Sequence, residues 1–321
     1  MRTGKMKSLT LTGLVASVLI LGTACDKDND EQQPASNTIT DVVVANSNFS
    51  TLKSAVVKAD LQETLKGAGP FTVFAPDDAA FASSGVTSPV LNSLTPAEVK
   101  SILLYHTIGS KILSAEVPAG PNAKVITAGG DSVFVTKNAN GVFINGIKVK
   151  TADVAADNGV IHVIERVLNP PVGNIVETAV ASGLDSLVKA VARAATAPGG
   201  DPTLVATLSN AKLTVFAPTN AAFTDLLSAL SLSNIDDIPV ATLLAVLKYH
   251  VLGDRAFSSD LTNGNLTMLA GGATTFNLSN GTGGGPTVTG SGNGGNKSNI
   301  IATNIVCRNG VVHVIDRVLL P

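Results

Sequence analysis

Residues 71–81 read FTVFAPDDAAF, and residues 213–223 read LTVFAPTNAAF. Eight of the eleven positions are identical. In each copy a short β-prone run ends at a proline, and the next residue, Asp77 or Thr219, is of a type that caps helices through its side-chain oxygen. The stretch therefore predicts a corner where a strand passes into a helix, and its recurrence predicts the same folded unit twice.

The repeat extends to the end of the chain. Three further landmarks recur in the same order: LYH at 104–106 and KYH at 248–250, AGG at 128–130 and 270–272, and NGVIHVIERVLNP at 158–170 and NGVVHVIDRVLLP at 309–321. The offsets between the copies are 142, 144, 142 and 151, so most of the length difference falls before the last landmark. We expect the Gly-rich stretch 280–295 to be a flexible hairpin insertion there. Copies of about 140 residues are large enough to fold as tandem domains.

The local patterns mix helix and strand. Val56, Val57, Leu61 and Leu65 fit the apolar stripe of a helix. The closing segment GVIHVIERVL follows an Asn-Gly turn and is rich in β-branched residues, which predicts a core strand. The fold class is therefore α/β (α+β).

A second helix start is marked by a capping box. Thr95 and Glu98 have the required spacing, and Pro96 occupies the first helical position. We expect this helix to run to about His106. The second copy lacks the box because Pro239 stands at the position of Thr95.

Together these landmarks resemble the fasciclin-like domain family: FTVFAPxxxAF, a Tyr-His at a helix end, and NGVIHVIxxVLxP. The resemblance extends over residues 37–321 and appears twice. It implies a compact domain in which a β-sandwich or wedge is covered by short helices, with one domain at 37–170 and a second at 171–321. The Pro-Pro-Val-Gly sequence at 170–173 predicts a short, stiff linker between them.

Residues 1–24 have the form of an export signal. Three cationic residues precede an apolar run that, at about sixteen residues, is short for a bilayer span of roughly 20. LGTAC at 21–25 resembles the bacterial lipoprotein signal, in which the cysteine becomes the lipidated first residue. We expect lipidation at Cys25, and an ordinary cleaved signal followed by a cysteine is the alternative.

Residues 25–36 are polar and acidic, which predicts a flexible tether. With the lipid at Cys25, they predict an exported protein anchored to the membrane of the cell envelope, at the outer membrane on its surface or periplasmic face. Loss of residues 1–24 would change the net charge from −2 to −5. Aromatic residues are 4% and tryptophan is absent, so we expect no nucleic-acid partner, which would need stacking platforms or a basic face.

The four histidines, His106, His162, His250 and His313, all lie in repeated landmarks. The zinc motif His-Glu-x-x-His and the nucleophile motif Gly-x-Ser-x-Gly are absent from the sequence. We predict no metal site, no cofactor and no catalytic residue. Cys307 lies among apolar strand-like residues, and we expect it to be a buried small hydrophobe.

Tyr105, His106, Tyr249 and His250 are the candidate partner-binding residues. The resemblance implies this role, because the Tyr-His and nearby aliphatic residues of animal matrix proteins in the family are implicated in integrin binding. The structural alternative is that the tyrosine ring packs in the core and the histidine binds helix carbonyls, with a gain from the helix dipole when protonated.

The sequence therefore favours a non-enzymatic adhesion or scaffold lipoprotein that binds an unknown protein or glycan partner of the extracellular matrix or envelope. One alternative is a periplasmic or surface lipoprotein that binds a small ligand or glycan in an apolar pocket. Another is a hydrolase built around Tyr-His, which would need a nucleophile or metal that the motifs do not supply.

Overall fold

The structure is a computed structural model that describes residues 37–279 and 281–321. These residues belong to one compact unit. The expected signal at 1–24, the lipid site Cys25 and the tether at 25–36 lie outside the described residues. Within the described part of the chain, no helix has the length and apolar character needed to cross a membrane.

We call residues 37–170 domain 1. Its helices and strands are, in chain order, α1 (Ile39–Ala45), α2 (Ser50–Lys58), α3 (Gln62–Lys66), β1 (Phe71–Pro76), α4 (Asp78–Ser83), α5 (Ser88–Ser93), α6 (Pro96–Tyr105), β2 (Thr107–Ile108), β3 (Gly120–Ile126), β4 (Ser132–Asn138), β5 (Gly141–Ile144), β6 (Ile147–Ala156) and β7 (Gly159–Ile164).

We call residues 171–321 domain 2. Its elements are α7 (Ile175–Ala181), α8 (Asp185–Thr196), α9 (Leu204–Asn210), β8 (Leu213–Pro218), α10 (Asn220–Ala229), α11 (Val240–Tyr249), β9 (Val251–Leu252), β10 (Gly264–Thr267), β11 (Ala273–Asn277), β12 (Thr287–Gly290), β13 (Ser298–Cys307) and β14 (Gly310–Ile315). Short 3-10 turns occupy Ser47–Phe49, Ile235–Asp237, Thr282–Gly284 and Ser291–Asn293.

The two domains have the same strand order. In domain 1 it is β2-β1-β7-β6-β5-β4-β3, and in domain 2 the corresponding order is β9-β8-β14-β13-β12-β11-β10. The central pair is parallel, β1 with β7 and β8 with β14, and the other pairs are antiparallel. The repeated FTVFAP and GVIHVI segments are thus neighbours in the sheet, which confirms the prediction that the closing segment is a core strand.

The strand-to-helix corner is also confirmed. The Asp77 carboxylate accepts a hydrogen bond from the Ala80 N–H at 2.7 Å, and the Thr219 hydroxyl accepts one from the Ala222 N–H at 3.1 Å. Each side chain satisfies an N–H group that the first helical turn leaves without a partner. The capping box of Thr95 and Glu98 is present at the start of α6 as well.

Successive residues of β1 face two different cores, because side chains alternate along a strand. Val73 and Ala75 pack under the helices, in a cluster that also contains Leu103 of α6. Phe74 points the other way and packs with Tyr105 and with residues of β4 and β5. Since β1 and β4 lie far apart in the strand order, the sheet folds over this second core and forms the expected wedge.

The Asn-Gly before each closing strand has a packing reason. A side chain on Gly159 would place its Cβ 2.2 Å from the Phe71 carbonyl oxygen, and one on Gly310 would lie 2.1 Å from that of Leu213. The preceding Asn158 accepts a hydrogen bond from the Ile39 N–H and donates to the Leu65 carbonyl. The motif therefore holds the helical layer against the start of the central strand pair.

Two sequence expectations are wrong in detail. The stripe from Val56 to Leu65 is divided between α2 and α3 at Asp60, whose φ is 53°, and Val57 is 54% exposed. In addition, the Gly-rich stretch expected to be a flexible insertion supplies strand β12, in which Val288 is fully buried. It occupies the place of β5 in the strand order, which its glycine-rich composition conceals.

The domains contact each other through β4 of domain 1 and the segment that follows β9 in domain 2. The Phe134 and Phe257 rings lie 6.0 Å apart, centroid to centroid. Around them Thr136 donates to the Asp260 carboxylate at 2.8 Å, and the Asn138 side chain donates to the Ser259 carbonyl at 2.9 Å. The contact therefore combines an apolar centre with hydrogen bonds at its edge.

The candidate binding site: a helical cleft above each buried histidine

The tyrosine of each Tyr-His pair lies in the core. Tyr105 and Tyr249 are both 0% exposed. The Tyr105 hydroxyl donates to the Ser132 carbonyl at 3.0 Å and accepts from the Asn145 side-chain amide at 2.9 Å. The Tyr249 hydroxyl likewise donates to the Ala273 carbonyl. Both phenol groups are thus held by main-chain acceptors on the strands that cover the second core.

The histidine of each pair joins a helix end to the last segment of its domain. His106 Nδ1 donates to the Ile102 carbonyl at 2.8 Å, and its Nε2 accepts from the Leu168 N–H at 2.9 Å. His250 repeats this arrangement with the Val246 carbonyl at 2.7 Å and the Leu319 N–H at 2.9 Å. Because Nε2 must accept a hydrogen bond, each ring is neutral with its proton on Nδ1.

This geometry corrects one part of the structural expectation. Burial lowers the pKa of His106 and of His250 to about 4, even though the hydrogen bond to the helix carbonyl opposes the shift. Each ring is therefore neutral in the folded state, and the expected gain of a protonated imidazole from the helix dipole does not occur there. The expected hydrogen bond from the ring to a helix carbonyl is confirmed in both domains.

The two remaining histidines are also held inside the fold. His162 Nε2 donates to the Ile112 carbonyl at 2.9 Å, and His313 Nε2 donates to the Ala256 carbonyl at 3.0 Å. Cys307 is buried and unpaired as expected, and burial raises the pKa of its thiol. Among the described residues, no group of three or more His, Cys, Asp and Glu side chains could hold a metal ion.

A cleft between the helices lies above each Tyr-His histidine. In domain 1 it runs between α1, α2 and α3 and reaches His106. Its volume is about 30 Å³, which is little more than one water molecule needs. Val44 and Val57 line it and are 49% and 54% exposed. Domain 1 therefore shows apolar side chains to solvent at this position but has almost no cavity beneath them.

The corresponding cleft of domain 2 is open. It lies between α7, α8 and α9, reaches His250 and has a volume of about 220 Å³. Two alanines, Ala179 and Ala192, line it where domain 1 has Val43 and Val57. The missing methyl groups account for part of the added space. Val176 and Val188 replace the Thr40 and Lys53 of domain 1, so the lining is apolar apart from the histidine.

Comparison with known proteins assigns the chain to a family. The profile of the fasciclin domain matches residues 47–170 and again residues 189–321, which together are more than half of the chain. The chain belongs to the fasciclin family. Both expected copies of the domain are therefore confirmed, and the fasciclin fold accounts for the repeated strand order.

Several relatives carry the same domain. The cyanobacterial protein sll1483 of Synechocystis is 43% identical over 136 residues, which are 42% of this chain and 74% of that protein. Human periostin is 31% identical over 147 residues, 44% of this chain and 17% of periostin. A solved fasciclin domain pair from the insect cell adhesion molecule fasciclin I covers 86% of this chain and 98% of its own, with 18% identity and a TM-score of 0.38.

Within these fasciclin domains, the four candidate partner-binding residues do not form one surface. Tyr105, His106, Tyr249 and His250 are each at most 2% exposed. Direct contact with a partner would require the helices above them to move, so a partner-binding role stays a prediction. A partner can reach the exposed Val44 and Val57 of the domain 1 cleft in this conformation. Single-residue patterns in the sequence did not separate these valines from core valines.

Proposed function

We propose that this chain is a non-enzymatic adhesion or scaffold lipoprotein, anchored to the cell envelope through Cys25, that binds a matrix or envelope component through its fasciclin domains. The observation that carries the proposal is the presence of two fasciclin domains, the domain type shared with periostin and with the protein ig-h3. This homology supports a non-enzymatic, adhesion-type role. The family indicates no catalytic chemistry.

The chemistry of the repeated Tyr-His landmarks agrees with this proposal. Both ring nitrogens of His106 and of His250 are engaged with main-chain groups, so neither ring has a free nitrogen to act as a general base in the folded state. The hydrolase alternative would therefore require a rearranged Tyr-His site. Exposed valines on the helical face, such as Val44 and Val180, offer an apolar contact surface for a partner.

Anchoring and display are tested on intact cells. Cells carrying the wild-type chain or Cys25→Ser are fractionated and also treated with protease, with a known periplasmic protein as the internal control. We expect the wild type in the membrane fraction and the Cys25→Ser chain released from it. Degradation with the control preserved supports surface display. A Cys25→Ser chain that stays membrane-bound would overturn the lipid anchor.

Adhesion is tested by binding of cells to immobilised matrix and envelope polymers, with and without the protein. We expect binding to at least one polymer that depends on the protein. A Val44→Asp, Val180→Asp variant adds charge to both helical faces without touching the core, and we expect it to lose that binding. Equal binding by cells that lack the protein on every polymer would overturn the adhesion proposal.

The open cleft of domain 2 favours a second candidate function, the binding of a small apolar ligand. An apolar cavity of 150 Å³ can already bind benzene, and this cleft is larger at about 220 Å³. The first copy of the same cleft is almost filled, so the space is not a general requirement of the fold. The ligand class is a hydrocarbon ring or short alkyl chain, because the lining offers no free polar group.

The cleft is tested with the fluorescent hydrocarbon probe N-phenyl-1-naphthylamine. We expect the wild type to bind the probe and the Ala179→Val, Ala192→Val variant, which restores the domain 1 residues, to bind it at least tenfold more weakly. Val43→Ala, Val57→Ala is the matched control, since it changes the corresponding two positions of domain 1 and leaves the domain 2 cleft unaltered. Equal probe binding by the wild type and the filled variant would exclude this cleft as the ligand site.

A further inference from the structure

Arg255 is a buried cation at the contact between the domains. It is 8% exposed, and its guanidinium carbon lies 3.8 Å from the centroid of the Phe134 ring. Its Nη2 donates to the Arg308 carbonyl at 3.1 Å. The corresponding residue of domain 1, Lys111, is exposed. Burial of this position is therefore a property of the interface and not of the fasciclin fold.

Among the described residues, no carboxylate lies within ion-pair distance of the Arg255 guanidinium. Its Nε is a buried donor without a hydrogen-bond partner among them. The neighbouring Asp254 pairs instead with Lys212 at 2.6 Å. A buried charge without a partner is strongly unfavourable, and the Phe134 ring offsets only part of that cost.

Arg255 lines a cleft between the domains. The cleft has a volume of about 180 Å³, more than the 150 Å³ of an apolar cavity that binds benzene. Lys124 and Arg308 line the same cleft and are exposed, while Asp131 is its one acidic residue. Three cationic side chains and one carboxylate therefore face a space large enough for a small ligand.

From this arrangement we infer that the interdomain cleft binds an oxyanion, a carboxylate or sulfate group, with Arg255 as its principal ligand. A guanidinium donates planar, paired hydrogen bonds that match the oxygens of such groups. Arg255 supplies the guanidinium, and Lys124 and Arg308 add positive charge at the same cleft. The inference does not depend on the adhesion proposal, because it rests on charge and geometry at the interface alone.

The two possible ligand groups, a sulfate and a sugar carboxylate, are distinguished with two probes, sodium sulfate and sodium glucuronate. Each replaces sodium chloride at constant ionic strength while the thermal unfolding midpoint of the full chain is measured. Sulfate also stabilises proteins through exclusion from their surface. The informative quantity is therefore the difference between variants, and Lys111→Gln, at the matching position of domain 1, is the control.

We expect sulfate, glucuronate or both to raise the midpoint of the wild type and of Lys111→Gln by the same amount. Arg255→Gln should lose the part of the rise that comes from anion binding at the cleft. Arg308→Gln keeps the main-chain carbonyl that holds Arg255, and we expect it to weaken the apparent affinity by about tenfold, as for one charged hydrogen bond. Asp131→Asn removes the opposing charge, and we expect it to strengthen the affinity.

The response to one probe alone identifies whether the site selects sulfate or a sugar carboxylate, and either response supports the inference. Equal midpoint shifts in the wild type, Arg308→Gln and Asp131→Asn would overturn it, because the cleft charges would then have no effect on the anion. If Arg255→Gln does not fold, these two variants alone decide the result.

Discussion

His106 and His250 act as clamps between a helix end and the closing segment of their domain. Each neutral ring donates to a carbonyl of the last helical turn and accepts from one N–H of the segment after β7 or β14. No aliphatic side chain can supply both a donor and an acceptor at this place. These hydrogen bonds give the histidine of each Tyr-His pair a role in folding.

The first prediction concerns His106→Ala. The substitution removes two hydrogen bonds, leaves the buried Leu168 N–H unsatisfied and opens a cavity, so the free energy of unfolding should fall by roughly 2–4 kcal/mol. Urea denaturation measures the change. The control is Lys111→Ala, an exposed site where the effect should stay within about 0.5 kcal/mol. An unchanged midpoint for His106→Ala would show that the clamp does not support the fold.

A second prediction concerns acid stability. Burial lowers the pKa of His106, His250 and His313 from 6.5 to about 4. The unfolded chain therefore takes up protons first as the pH falls below 6.5, and the folded state loses stability until about pH 4. Each ring accounts for a loss of up to about 3 kcal/mol, fully avoided only above pH 6.5.

The measurement is the free energy of unfolding between pH 7.5 and 5. The folded protein should be most stable at the upper end, and His106→Ala should show a shallower slope because one titrating ring is gone. Carboxylates with lowered pKa, such as Asp201 at about 2, lose their contribution only at lower pH and do not obscure this window. A slope identical in the two proteins would contradict the assignment to buried histidines.

At the scale of elements, the two domains allow a helix with a side-chain cap to be compared with the corresponding helix that has none. The capping box at the start of α6 is complete, whereas α11 begins after Pro239, which makes no side-chain capping bond. Thr95→Ala should lower the free energy of unfolding by about 1 kcal/mol, because an N–H of the first turn loses its acceptor.

The matched control for the cap is Thr242→Ala. Thr242 is an exposed residue at the position that Glu98 holds in domain 1, so its loss should change stability by less than about 0.5 kcal/mol. Thermal or urea unfolding of both variants decides the point. A larger loss from Thr242→Ala than from Thr95→Ala would mean that the box adds nothing to domain 1.

The elements whose signals are local could be predicted from the sequence. The corner after β1, the helix from Pro96 and the closing strand each have a cap, a turn or a β-branched run within a few residues. Local sequence signals do not predict an element whose formation depends on tertiary contacts. Strand β12 is formed by a threonine- and glycine-rich segment because β11 and β13 pair with it, and periodicity alone does not show that pairing.

The candidate site could be predicted only in part, for a similar reason. Tyr105 and His106 are marked by the repeat, but burial decides what they do, and burial is a property of the whole fold. The difference between the two clefts lies in substitutions such as Val43 to Ala179, which look conservative in sequence. Arg255 has no motif at all, because its importance comes from Phe134, which belongs to the other domain.

At the scale of the whole molecule, the interface couples the two domains. Phe134 of domain 1 is 6% exposed and packs in one cluster with Phe257, Val306 and Val311, all of domain 2. Three hydrogen bonds surround this cluster, from Asn122, Thr136 and Asn138 to the segment that follows β9. Such a contact resists independent rotation, so the two domains keep a defined spacing. The proposed binding of one partner by both domains would depend on that spacing.

The final prediction is a double-mutant cycle on Phe134→Ala and Phe257→Ala. Each single substitution should destabilise the chain by roughly 3–5 kcal/mol, since each removes a buried aromatic ring. The double substitution should cost less than their sum by about 0.5–1.5 kcal/mol, the coupling expected of a tilted ring pair. Calorimetry should also show that the wild type unfolds in one transition and Phe134→Ala in two, because the domains then lose their shared cluster. Additive single effects together with an unsplit transition would show that the domains fold as a unit for a reason other than this ring pair.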